Sequence, residues 1–301
     1  MPLPPLSVLD LAPVGVGSTP GAALASTIEL ARATEKLGYH RFWVAEQFGM
    51  LEALHPGRVD LGIGRAPGTD QVTAQALRRS ANPLSADEFP EQLTELMGYF
   101  NGSDQRGVTA VPGDGNVPDV WLLGSSAYSA QVAGLLGLPF SFAHHFSAAN
   151  TLPALALYRE RFREASVQRG AHQQSRPSAR LSEPYAMVCV SVIAAEDDDK
   201  ARYIAGSGAL SFLQLRQGKP GRVPSPEEAA AYPYSDIERH FVEDRLSNQV
   251  IGGPETVLKG LTALQEATRA DELMITTLVH DPADRMRTYE LVAELAGKVA
   301  E

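Results

Sequence analysis

The chain holds a single cysteine, Cys189, and two tryptophans among 301 residues. One thiol excludes an internal disulfide. It sits in the apolar run YAMVCVSVIAA (185–195), and no Cys/His cluster has the spacing of a zinc site. Positive charge is in deficit: 26 Lys and Arg stand against 36 Asp and Glu, for a net charge of −10. No basic block with interleaved aromatics occurs, which argues against binding a nucleic-acid backbone, a partner that needs cationic surface. No apolar stretch approaches the roughly 20 residues needed to span a bilayer. The N-terminal MPLPPLSVLDL lacks the charged and apolar regions of a signal peptide. Internal repeats and low-complexity tracts are also absent. The expected location is a reducing cytoplasm, and the expected partners include no metal, nucleic acid or membrane.

What is present is ordinary globular composition, 44% hydrophobic and 21% charged, arranged as alternating strands and helices. The most informative stretch is Val117–Phe146. A buried strand, DVWLL, runs into Gly124-Ser125-Ser126, a helix AYSAQVAGLLG follows, and a second strand, LPFSFA, ends at His144-His145. This is one complete β-α-β unit. A Gly-Ser-Ser turn opening a helix offers backbone N–H groups and hydroxyls to an anion, which suggests a phosphorylated ligand. The plain alternative makes Ser125 a helix N-cap and Gly124 a tight turn.

The same reading predicts seven strands: Leu6–Leu11, Arg41–Ala45, Val59–Ile63, Asp119–Leu123, Pro139–Ala143, Tyr185–Ala194 and Leu273–Leu278. Helices are predicted at Pro20–Leu37 (N-cap Thr19), Gln47–Leu54, Gln71–Ser80, Glu88–Phe100, Leu152–Ala165, Glu255–Thr268 and Ala283–Leu295. Short apolar strands separated by helices argue for a parallel sheet covered by helices, and at this length a (β/α)8 barrel leads the open doubly wound sheet. The expected organisation is a single barrel domain over residues 1–301. The segment Glu196–Val250, with its helical patches and GKPGRVPSP, reads as an insertion after the sixth strand and a lid over the strands' C-terminal ends.

The segments VDLGIGRAPGTD, VWLLGSSAYSAQVAGLLGLPF, LSVLDLAPV, GLPFSFAHHF, EPYAMVCVSVIAAE and VIGGPETV together resemble the luciferase-like flavin monooxygenases, in their single-polypeptide bacterial subgroup. The resemblance implies a (β/α)8 TIM barrel that binds FMN at the C-terminal ends of its strands. It also implies a separate flavin reductase to supply reduced FMN, and O2-dependent oxygenation of a small organic substrate. One departure stands out. Where the family follows the second strand with a histidine pair, a helix and a third strand, Val44-Ala45-Glu46 here runs straight into Gln47-Phe48-Gly49. That is about 45 residues fewer, the size of one strand and helix of such a barrel. The rival readings are a non-catalytic flavin-binding or interaction protein that keeps the fold, and a deazaflavin-dependent oxidoreductase. Unpaired strands at the join would favour a homo-oligomer.

On this resemblance Gly124, Ser125, Ser126 and Ser129 match the phosphate-binding turn. Arg65, after the third predicted strand, would pair with phosphate or the flavin ring edge, unless it pairs with Asp70. Arg78 and Arg79 suit a helix C-terminus better. His144 and His145 are the catalytic candidates, with a substrate-pocket role set against a packing role. Glu46 would open a helix, and Asp10 would either face the mouth or cap a helix.

Overall fold

The computed structural model describes residues 3–9, 20–39, 41–43, 57–64, 89–100, 118–170 and 181–297. Asp10, Thr19, Glu46, Arg65, Arg78 and Arg79 lie outside these, as do the expected helices Gln47–Leu54 and Gln71–Ser80. The chain gathers into two compact groups of residues: 1–45, 143–148 and 187–301 form one, and 46–142 with 149–186 the other.

The first group is built on parallel strands β1 (Leu6–Leu9), β2 (Arg41–Trp43), β6 (Ala186–Ala194), β7 (Val250–Gly252) and β8 (Glu272–Thr276). β1 lies between β2 and β8, with Val8 opposite Phe42 on one side and Ile275 on the other. β6 pairs β8 along Met187–Ser191 and β7 along Val192–Ala194. All nine residues of β6 are buried, as expected of a parallel strand covered on both faces. At the start of β8 the wholly buried Glu272 accepts a hydrogen bond from Ser7 Oγ of β1.

Helices α1 (Pro20–Lys36), α5 (Asp198–Arg216), α6 (Pro226–Ala231), α7 (Asp236–Ser247), α8 (Pro254–Thr268) and α9 (Pro282–Leu295) complete this group. Their starts are written in the sequence. Ser225 and Ser235 open α6 and α7 as capping boxes closed by Glu228 and Glu238, and Pro occupies the first turn of α6, α8 and α9. Asp198 of α5 ties β7 to α8, accepting from Gly253 N at 2.7 Å and Thr256 Oγ1 at 3.1 Å.

The second group carries parallel strands β3 (Asp60–Gly64), β4 (Asp119–Gly124) and β5 (Phe140–Ala143), with helices α2 (Phe89–Phe100), α3 (Ala127–Leu136) and α4 (Thr151–Gly170). β4 is the middle strand, pairing Leu122 with Ile63 and with Phe140. Tyr158, fully buried on α4, donates to Leu138 O at 2.9 Å, and its oxygen accepts the Tyr185 N–H at 3.1 Å. The one side chain thereby fixes the entry to β5 and the approach to β6.

The described strands number eight, not the seven expected. The addition is β7, read from sequence as the end of an insertion. Val250-Ile251-Gly252 is too short for periodicity to mark it, and it becomes a strand by pairing with β6. Residues 198–247 are the helical crossover between these two parallel strands.

Candidate functional site

Two places in the fold carry the chemistry-bearing residues of the sequence. The first is the turn from β4 to α3. Gly124 ends the strand, and Ser126, not Ser125, is the N-cap of α3, with extended backbone at φ −138° and ψ 161°. Its side chain makes no capping hydrogen bond to the helix backbone and the residue is exposed. The buried Ser129 donates from Oγ to the Ser126 carbonyl at 2.9 Å, and the two hydroxyl oxygens lie 3.4 Å apart. A β-carbon at Gly124 would stand 2.0 Å from Ser129 Oγ and 2.4 Å from its Cβ. The glycine is therefore required by the Ser129 side chain, which fills the room a β-carbon would take, and the turn sits at a helix N-terminus, where backbone N–H groups favour an anion. Ser129, with its only proton committed to a carbonyl, shapes the turn, and in the long 3.4 Å contact Ser126 is then the donor, a proton it can turn outward to an anion.

The second place is the end of β5. His144 and His145 follow Ala143 directly and have unequal surroundings. His145 is buried, with its backbone N–H donating to Cys189 O at 3.1 Å and its Nδ1 3.2 Å from the same carbonyl. A carbonyl can only accept, so Nδ1 carries the ring proton and Nε2 is the acceptor. Burial, with the Arg245 and His144 charges acting in the same sense, pushes its pKa down to about 4 against the backbone bond to Cys189. His145 is therefore neutral at neutral pH. His144 is half-buried, and burial lowers its pKa also. The ring of Phe146, 63% exposed, lies 4.6 Å from the His145 ring centroid.

The sequence reading missed the cation above this loop. Arg245, on α7, donates from Nη1 to the His145 carbonyl and stacks its guanidinium 4.2 Å over the Phe212 ring of α5. Phe212 in turn stacks on Phe241 at 5.9 Å. In sequence Arg245 sits in HFVEDRLSN, which reads as a solvated helix face; only the fold turns it inward. Among the described residues no group of three or more His, Cys, Asp or Glu is placed to hold a metal ion, and no helix is long and apolar enough to cross a membrane.

A serine-lined βα turn and a histidine-bearing strand end, both at C-terminal ends of parallel strands, suit a phosphorylated cofactor and a small substrate. Comparison with known proteins gives the family. Residues 44–271 match the family described as Luciferase-like monooxygenase. The uncharacterized protein YvbT of Bacillus subtilis (strain 168) is 42% identical over 337 positions, covering 96% of each chain. A luciferase-like monooxygenase of Escherichia coli (strain K12) is 37% identical over 335 positions, again covering 96% of each. Both alignments run longer than the 301-residue chain, so these relatives carry residues that have no counterpart here. Among solved structures, apo-MsnO8 superposes with a TM-score of 0.83 at 30% identity over 99% of each chain. The oxygenating constituent of 3,6-diketocamphane monooxygenase from Pseudomonas putida, solved with FMN, shares the fold at a TM-score of 0.63 and 18% identity, covering 99% of each chain. With its parallel α/β architecture and this match over most of its length, the chain belongs to the luciferase-like monooxygenase family.

Proposed function

We propose that the chain is an FMN-dependent monooxygenase of a small organic molecule, working in the cytoplasm on reduced FMN delivered by a separate flavin reductase. The observation that carries this reading is the β4–α3 turn. Gly124 leaves room for the Ser129 side chain inside the turn, and the exposed Ser126 hydroxyl at the helix N-terminus makes no capping bond to the backbone. Ser126 and the first turn of α3 would hold the cofactor's phosphate, with Ser125 beside them and Ser129 fixing the turn; Arg65 is assigned to the same phosphate or to the ring edge. Bound in reduced form, FMN supplies the electrons with which O2 oxygenates the substrate. His145, with Nδ1–H committed to Cys189 and its pKa far below neutrality, is not a proton donor at pH 7. His144, less buried and also neutral-leaning, is the better candidate to accept a proton.

We place the residues missing relative to YvbT at Ala45–Glu46, next to where the family match begins, at Val44. On this reading the lost strand would have supported the flavin ring. A loosely positioned ring costs on the order of 100-fold in rate for about 1 Å of displacement. The same shortfall favours a second reading, a flavin-binding protein that has lost the chemistry. Reconstitution separates the two. Purified protein is titrated with FMN and with a deazaflavin by absorbance, then supplied with NADH and a flavin reductase while O2 uptake and H2O2 are followed. The monooxygenase reading expects FMN binding and O2 uptake that is poorly coupled and releases H2O2. FMN binding without any enzyme-dependent O2 uptake supports the binder, preference for the deazaflavin moves the chain to that class, and absence of affinity for either overturns the proposal.

A further inference from the structure

Arg245 is a cation without a counter-charge. It is half-buried, and burial pulls its pKa below the usual arginine value. A desolvated guanidinium is ordinarily offset by a carboxylate. Here its charge meets one carbonyl dipole, that of His145, and one ring face, that of Phe212. Among the described residues no Asp or Glu pairs with it, and its buried Nε has no acceptor at all. The adjacent charges do not help: its immediate acidic neighbours in sequence, Glu243 and Asp244, are exposed, and His144 and His145, both of depressed pKa, add no negative charge. The residue after the carbonyl it binds, Phe146, is 63% exposed and offers apolar surface. A guanidinium with no carboxylate partner, near an exposed aromatic ring of the same loop, is complementary to a molecule with an anionic head and an apolar body.

We propose that Arg245 is a specificity-determining residue that recognises the carboxylate or sulfonate head of a small organic anion, with Phe146 receiving its apolar part. Calling that anion the substrate rests on the monooxygenase reading; the binding itself does not. The anion would replace the His145 carbonyl as the acceptor for the guanidinium, a charged partner in place of a neutral one. Arg245 then exchanges an intramolecular bond for a bidentate one, and the crossover helices α5 and α7 would register the ligand's presence.

The test uses the full chain and two probes of matched length, hexanoate and 1-hexanol, titrated by calorimetry into wild type, Arg245→Gln and Arg245→Lys. Wild type is expected to bind hexanoate about tenfold or more tighter than hexanol. Arg245→Gln should abolish that preference and leave hexanol unchanged, since a charge-assisted bidentate contact is lost. Arg245→Lys, with charge but no fork, should fall between. FMN and riboflavin titrations of the same proteins form the control arm, and both affinities should be the same in wild type and variant. Equal binding of hexanoate and hexanol by wild type overturns the proposal, and that comparison stands even if a variant fails to fold. So does an undiminished hexanoate preference in Arg245→Gln. A selective loss of FMN over riboflavin affinity in the variant would instead assign Arg245 to the cofactor phosphate. Absence of FMN binding together with an intact, Arg245-dependent hexanoate preference would refute the flavin reading and leave this one standing.

Discussion

At the scale of single residues, His145 and Gly124 carry the firmest expectations. His145 has a folded pKa of about 4 against an ordinary 6.5. Between those values the unfolded chain binds more protons than the folded one, so stability rises with pH there and is lost as pH falls from about 6.5 through 4. One pKa unit is worth about 1.4 kcal/mol, which puts the loss at up to about 3 kcal/mol. His145→Asn keeps an amide donor for the Cys189 carbonyl but cannot titrate. Urea unfolding of the two proteins from pH 7 down to 4 should show wild type losing stability relative to the variant. Parallel curves would contradict the buried neutral imidazole. Gly124→Ala places a methyl against Ser129, and an overpacked contact of this kind costs about 1–3 kcal/mol. Its urea midpoint should drop, and an unchanged midpoint would mean the turn is looser than described. The serines and histidines were legible in the sequence because they follow strands and open a helix. The role split between Ser126 and Ser129 was not, because it depends on which way each hydroxyl turns. Arg245 was invisible for the same reason: a charged residue on a helix reads as solvated until tertiary packing sets it over Phe212.

Among the elements, α3 against α4 gives an expectation that runs against local propensity. Alanine is a better helix former than glycine by about 1 kcal/mol. Yet a β-carbon at Gly134 would lie 2.7 Å from Tyr158 O, 2.8 Å from Arg161 Cβ and 2.9 Å from Phe162 N. Two of these contacts are with backbone, which cannot swing aside. Gly134→Ala should therefore lower the thermal midpoint despite its higher helix propensity; a rise would show that the two helices can separate at little cost. Most elements were legible because their signals are local: the nine-residue apolar run of β6, the prolines and serines that open helices, the Gly-Ser-Ser turn. β7 was not, since three residues acquire strand identity only from a partner. The capping boxes at Ser225 and Ser235 mark two of the helices inside the segment that the sequence reading left as an insertion.

For the whole molecule, the parallel α/β architecture and the family followed from segments spread along the chain, while the pairing of the strands did not. Among the described pairings, β2 is bonded to β1 alone and β3 to β4 alone. Each is an edge within its own group of residues, and exposed edges invite pairing with another chain. We expect self-association, seen as a mass above that of the 32.3 kDa chain in light scattering; a monodisperse monomer would remove that part of the account. The central claim, that a flavin phosphate is held at the β4–α3 turn, is tested most directly by titrating FMN into wild type, Ser126→Ala and Ser129→Ala, with riboflavin as the phosphate-free control. A hydrogen bond to a charged group is worth roughly 1.5–3 kcal/mol, so Ser126→Ala should weaken FMN about tenfold or more and leave riboflavin unchanged. Ser129→Ala, acting only through the turn, should weaken FMN less. FMN affinity equal in all three proteins, or no better than that of riboflavin, would contradict the account.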